Sequence, residues 1–102
     1  MPEVRLVVQF TADSKEIADQ AIEQLVANSK VVQQAKGCQQ FEVFRSALRP
    51  EQWVLLEHWD SQEAKAAHAQ AIAGVRPPPT PGVKRVREEY DYQVTASVPT
   101  AS

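Results

Sequence analysis

The sequence predicts one α+β domain, in which two helices cover one face of a four-stranded antiparallel sheet. Apolar residues recur alternately with the period of a strand and that of a helix, in the order β-α-β-β-α-β. The segment Asp13-Ser14-Lys15-Glu16 is nearly repeated at Asp60-Ser61-Gln62-Glu63, each time after a predicted strand. This is the split βαβ, or ferredoxin-like, arrangement. Because 102 residues fill only one core, we predict a domain over residues 1–94 and a C-terminal tail over 95–102.

The first half of the chain begins with a strand, since apolar and polar residues alternate along residues 4–11. Asp13 and Glu16 have the spacing of a capping box, which predicts that a helix begins there. The helix should run for about five turns and end near Lys36-Gly37, because a basic residue followed by glycine is typical of a helix C-terminus. A second strand is predicted over residues 39–47.

The second half repeats this plan. A strand is predicted over residues 53–59, followed by an alanine-rich helix that runs to about Ala73. Residues 74–82 contain four of the seven prolines, which excludes regular structure there. The last strand is predicted over residues 83–94, where the alternating pattern returns.

The third predicted strand is apolar on both of its sides, which indicates that both faces of the sheet are covered. The two helices can cover only one of them. We expect the other face to carry Leu55, Trp59 and Val7, and exposed apolar patches of this kind usually mark association surfaces. The sequence therefore predicts a homodimer in which the bare sheet faces meet across a twofold axis.

Composition excludes several classes of function. The formal charge is −2 and no basic stripe is present, so we expect no nucleic-acid partner. No segment has the roughly 20 apolar residues that cross a bilayer, and the N-terminus lacks the order of a signal peptide, so we predict no membrane association and a cytoplasmic protein. One cysteine and two histidines make no metal site, and without a glycine-rich loop we predict no nucleotide or flavin cofactor.

Two segments carry a family resemblance. Residues 37–45 read GCQQFEVFR and residues 53–61 read WVLLEHWDS, with His68 nine positions after Trp59. The pattern resembles the antibiotic-biosynthesis monooxygenase family over residues 5–92. The resemblance implies a dimeric α/β barrel, in which two sheets face each other and each subunit keeps a pocket between its sheet and its helices. Members include cofactor-independent oxygenases of quinols and phenols, and enzymes that degrade haem.

The sequence departs from the best-known members at several positions. Leu55 stands where the polyketide oxygenases have asparagine, and Lys65 stands where they have tyrosine. The haem-degrading members have a pocket histidine beyond the second helix, whereas this chain has Arg76 and a proline run there. We therefore expect this chain to share the fold of the family, but not the substrate of these members.

Three residues are the candidates for catalysis. Oxygenation without a cofactor needs a base that deprotonates the substrate, and the imidazole of His68 suits that role near neutral pH. His68 shares the apolar side of the second helix with Ala64, Ala71 and Ile72; a histidine packed at the helix edge is the structural alternative. Trp59 could wall the pocket and donate its indole N–H to a developing oxyanion, or simply be core. Glu57 lies on the same strand face as Trp59.

Three further residues are candidates for substrate binding. Arg45 is a plausible partner of Glu57, and a structural ion pair of the two at the dimer interface is the alternative. Leu55 shares the face of Glu57, and Tyr90 could donate a hydrogen bond into the same space or lie at the interface. His58 points to the opposite side and is a weaker candidate.

Two functions remain open from the sequence. The first is a cofactor-independent monooxygenase that acts on a small aromatic or quinol. The second is a non-oxidative enzyme or binding protein of the same fold. A closed apolar cavity at His68 would favour the first, and a cavity lined by Arg45, Arg85 and other charges would favour a polar metabolite.

Overall fold

The computed structural model describes residues 3–72, 80–91 and 94–96. Its elements follow the order β-α-β-β-α-β and form one antiparallel sheet with the strand order β2-β3-β1-β4. The predicted ferredoxin-like α+β fold is confirmed. The elements are β1 (Val4–Ala12), α1 (Lys15–Val32), β2 (Cys38–Arg45), β3 (Gln52–Trp59), α2 (Gln62–Ile72) and β4 (Val83–Tyr90).

Some predicted boundaries were wrong. The N-cap of α1 is Ser14, whose hydroxyl accepts a hydrogen bond from the Ile17 N–H at 3.2 Å, so Asp13 and Glu16 form no capping box. α1 ends at Val32, ahead of the predicted Lys36-Gly37, because a short turn intervenes. Residues 73–79, with most of the proline-rich segment and Arg76, lie outside the described residues, as does most of the predicted tail.

The near-repeat of the sequence is also a repeat of structure. Ser61 at the start of α2 accepts a hydrogen bond from Ala64 N–H at 3.1 Å, just as Ser14 does for α1. The carbonyl of a glycine with positive φ accepts from the residue before each serine: Gly37 from Asp60 N–H and Gly82 from Asp13 N–H, both at 2.8 Å. The two helices are thus anchored in the same way at their N-termini.

The two faces of the sheet differ sharply. Val4, Leu6 and Val8 of β1 are buried beneath the helices, and the register pairs Val8 with Leu55 and Val4 with Trp59. Leu55 and Trp59 therefore belong to this helix-covered core, not to the bare face, and that prediction was wrong.

The bare face, called the open face below, carries the alternate residues. At its centre Val7 of β1 pairs with Leu56 of β3, and Gln9 pairs with Val54. Its edge strands contribute apolar side chains that are about half exposed: Phe44, Val86 and Tyr90. The placement of Val7 on the bare face is confirmed.

In the described part of the chain, neither helix has the length and apolar character required to cross a membrane.

Candidate functional site

The three catalytic candidates lie together at the end of β3 nearest to α2. Trp59 is fully buried, and its ring centroid lies 5.0 Å from that of His68, with the two planes inclined by 27°. The indole Nε1–H donates a hydrogen bond to Oε1 of Glu57 at 3.0 Å. We call Glu57, Trp59 and His68 the Trp59 cluster.

Local structure explains this arrangement. Glu57 and Trp59 are two residues apart on a strand, so their side chains leave the same face. His68 lies one turn beyond Ala64 on α2, and the N-terminal end of α2 is held close to Gly37. A Cβ atom on Gly37 would lie only 2.5 Å from the Cβ of Ala64, so glycine is required for this approach. The close approach of α2 to Gly37 thus places the imidazole of His68 against the indole ring of Trp59.

The hydrogen bond within the Trp59 cluster changes the expected role of the tryptophan. Its indole N–H donates to Glu57, so the donation to an oxyanion that we predicted would require this hydrogen bond to break first. His68 covers one face of the buried Trp59 ring, and Glu57 fixes the orientation of that ring.

α2 packs against the sheet without burying any of its residues completely. His68 and Ile72 are half-buried while Ala71 is exposed, so the predicted apolar side is narrower than expected. The imidazole of His68 is therefore both stacked on Trp59 and reachable from solvent. A group in that position can exchange a proton with a bound ligand.

Arg45 does not pair with Glu57, and that prediction was wrong. Its Nη1 lies 2.7 Å from Oδ1 of Asp19 on α1, and its Nε donates to the carbonyl oxygen of Pro50 at 2.7 Å. Arg45 pairs across the sheet with Trp53, at the end of β3 away from Trp59. Hydrogen bonds from Arg45 and Lys15 lower the pKa of Asp19 below its ordinary value. Arg45 thus ties α1 to the β2–β3 hairpin.

Leu55 shares the core of Trp59 but is buried there, whereas Tyr90 lies on the other face of the sheet. Leu55 is buried in the core that includes Val8 and Phe41. Tyr90 pairs with Arg5 on β1, which puts it on the open face, and it is 51% exposed. Tyr90 also borders an open surface groove of about 490 Å³, whose other lining residues are Gln62, Glu89, Asp91 and Val94.

Sequence reasoning missed an ion pair beside this groove. Lys65 of α2 binds Glu89 of β4, and the hydrogen bond from Lys65 lowers the pKa of the Glu89 carboxyl. Partners 24 residues apart give no signal in a single sequence. The alternation along β4 could have shown that Arg85 and Arg87 share the side of Glu89.

Other polar groups of the described residues do not form a metal centre. No three His, Cys, Asp or Glu side chains there are grouped as ligands. Cys38 pairs across the sheet with Trp59, and burial raises the pKa of its thiol. His58 lies on the open face, where its Nε2 is 3.1 Å from Oε1 of Glu3 without hydrogen-bond geometry.

The sequence profile described as antibiotic biosynthesis monooxygenase matches residues 4–89. Comparison with curated proteins gives no match.

Solved structures share the fold. A dimeric ferredoxin-like protein from an uncultured marine organism has a TM-score of 0.79 and 12% identity, over 95% of this chain and 100% of that chain. A Deinococcus radiodurans protein proposed to be an antibiotic biosynthesis monooxygenase has a TM-score of 0.74 and 20% identity, over 95% and 99%. The heme-degrader MhuD of Mycobacterium tuberculosis, with two hemes in its active site, has a TM-score of 0.66 and 19% identity, over 92% and 99%.

Proposed function

Because the chain belongs to the antibiotic biosynthesis monooxygenase family, we propose that it oxygenates a small phenol or quinol without a flavin or a metal ion. The observation that carries the proposal is the stacking of His68, a half-buried proton acceptor, on the ring of Trp59. Trp59 is fully buried behind His68, so a flat aromatic substrate would meet the imidazole, which offers both a ring surface and a base.

The proposed reaction needs few protein groups. His68 accepts the proton of the phenol, and the electron-rich phenolate passes one electron to O2. The two radicals combine at a ring carbon, and loss of water from the resulting peroxide leaves a quinone. One oxygen atom of O2 enters the ring and the other leaves as water with two hydrogens of the substrate. The substrate supplies all the electrons, so no external reductant is required.

The remaining members of the Trp59 cluster position the reactants. Glu57 accepts the indole N–H, which fixes the plane of the Trp59 ring on which the imidazole of His68 is stacked. The apolar core beneath, with Leu6 and Val8, would keep water from the radical pair.

The proposal predicts measurable O2 uptake. Protein treated with chelator and free of flavin should consume O2 with at least one member of a panel of phenols and hydroquinones, faster than buffer or heat-denatured protein does. Replacing His68 with alanine should remove most of that excess, since general base catalysis contributes roughly 10²- to 10⁴-fold. A matched control is His58→Ala, which removes the histidine on the opposite sheet face. If no member of the panel raises O2 uptake, the oxygenase proposal fails for this class of substrate.

A non-oxidative binding role is the alternative, and the open groove beside Tyr90 supports it. That groove is bordered by carboxylates and an amide and suits a polar ligand more than an apolar ring. Saturable binding of phenols with no oxygen uptake would favour this second function.

We also propose that a second copy of the chain covers the open face. The apolar centre formed by Val7, Val54 and Leu56 and the exposed Phe44 and Val86 support pairing of two such faces. The structural similarity to a dimeric ferredoxin-like protein agrees with this assembly.

A further inference from the structure

β4 carries two arginines on the side of the sheet that the helices cover elsewhere. The register pairs Arg85 with Phe10 and Arg87 with Val8, and both of these β1 residues face the helices. Both arginines are nevertheless exposed. We call this pair the basic ledge. α2 reaches β4 at Glu89, to which Gln62 and Lys65 donate hydrogen bonds.

The acidic neighbour of the basic ledge on its own side of β4 is Glu89, whose pKa is lowered mainly by Lys65 and to a smaller extent by Arg87. Within the described part of the chain, neither arginine makes a hydrogen bond or an ion pair. Glu89 is engaged by Lys65. Glu88 and Lys84 point to the open face. Two like charges on adjacent positions of one strand face repel each other, so an anion bound between them would relieve that repulsion.

The basic ledge lies within reach of the Trp59 cluster. Glu57 and Glu89 both pair with Leu6, and Arg87 is two residues further along β4. With strands ~4.8 Å apart and ~3.3 Å per residue, the Cα atoms of Glu57 and Arg87 are about 12 Å apart. An arginine side chain and a ring-sized ligand together can span that distance.

We infer that the basic ledge binds a carboxylate carried by the aromatic substrate, with Arg87 as the main contact and Arg85 beside it. The natural substrate class is therefore an aromatic acid that also bears a phenolic hydroxyl, with its carboxylate at the basic ledge and its hydroxyl directed toward His68. Guanidinium groups suit this role because they bind carboxylates in a bidentate manner. The oxidation of the substrate ring rests on the proposed function. Binding of the carboxylate by the arginines does not require a reaction with O2.

Anaerobic calorimetry separates binding from turnover. The probes are 6-hydroxy-2-naphthoate and 2-naphthol, which share the ring and hydroxyl and differ in the carboxylate. The acid should bind at least about tenfold more tightly, in line with charge-assisted hydrogen bonds at a partly exposed site. In the Arg85→Gln/Arg87→Gln variant that preference should vanish, while Arg87→Lys should keep part of it. Lys84→Gln, which removes a charge from the other side of β4, should leave the preference unchanged.

Several results would overturn the inference. They are equal affinity for the two probes, binding of neither, or an equal loss of affinity in Lys84→Gln and in the double arginine variant. A failure of the oxygen-uptake experiment alone would contradict the proposed function and leave the carboxylate preference to be judged by calorimetry.

Discussion

At the scale of single residues, Trp59 organises the candidate site because one indole contacts both of the other members. Its ring stacks on His68 and its N–H is held by Glu57. The alternation of β3 predicted that Glu57 and Trp59 share a face, and the family resemblance identified His68. The hydrogen bond from Trp59 was not predicted, because a side chain's choice among several acceptors depends on the assembled fold. Arg45 was misassigned for the same reason: Asp19 on α1 was nearer than Glu57.

Removing the acceptor of the indole N–H should destabilise the protein. Glu57→Ala leaves the buried Trp59 Nε1–H without a partner, at a cost of about 1–3 kcal/mol. Glu57→Gln retains an amide oxygen that can accept the same hydrogen bond and should cost less. Urea unfolding followed by tryptophan fluorescence measures both. Equal destabilisation by the two variants would show that the hydrogen bond is unimportant.

At the scale of helices and strands, the order and type of all six elements followed from periodicity, and the near-repeat of Asp-Ser marked the start of both helices. The end of α1 did not follow. Residues 33–36 have good helix propensity and gave no stop signal ahead of Gly37. In the structure the side chain of Gln33, the C-cap of α1, donates to the carbonyl oxygen of Phe41 on β2 at 2.8 Å. This tertiary contact accompanies the early end of the helix and is invisible in the local sequence.

The link between α1 and the β2–β3 hairpin predicts a pH dependence of stability. The pKa of Asp19 is lowered from its ordinary value of 3.8 by hydrogen bonds from Arg45 and Lys15. Its ionised form is favoured in the folded state, so the stabilisation is present above about pH 4 and is lost as the pH falls through the lower folded-state pKa. Asp19→Asn should therefore lower the urea midpoint at pH 7 and change it less at pH 3. A difference of the same size at both pH values would contradict this account.

At the scale of the whole molecule, the sequence correctly indicated that β3 is apolar on both sides, but the two sides were exchanged. When a strand is apolar on both sides, alternation alone does not say which side faces the helices and which side faces the open face. The register resolves the choice, because Val4, Leu6 and Val8 form the strongly apolar side of β1, and Leu55 pairs with Val8. A sequence argument that matched the more apolar sides of β1 and β3 would have found this.

The corrected assignment of the two sheet faces predicts different outcomes for the same substitution at two adjacent positions of β3. Leu56→Asp puts a carboxylate at the centre of the open face and should separate the proposed dimer while leaving each subunit folded. Leu55→Asp puts it into the helix-covered core, where burial of an unpaired charge should unfold the chain.

Sedimentation and circular dichroism of both variants distinguish these outcomes. The wild type should sediment as a dimer at micromolar concentration. An interface of a stable dimer buries roughly 1,200–2,000 Å² of surface or more. A folded wild-type monomer, or a Leu56→Asp variant that still dimerises, would contradict pairing through the open face.

The claim that the Trp59 cluster supports oxygenation is tested most directly by isotope incorporation. Metal- and flavin-free protein is incubated under ¹⁸O2 with the phenol that gives the fastest oxygen uptake, and the quinone product is analysed by mass spectrometry. The wild type should give a product that carries one ¹⁸O atom. His68→Phe, which retains a ring over Trp59 but has no base, should lose most of this product, whereas His58→Ala should not. Unlabelled quinone, or equal labelling by wild type and His68→Phe, would contradict the account.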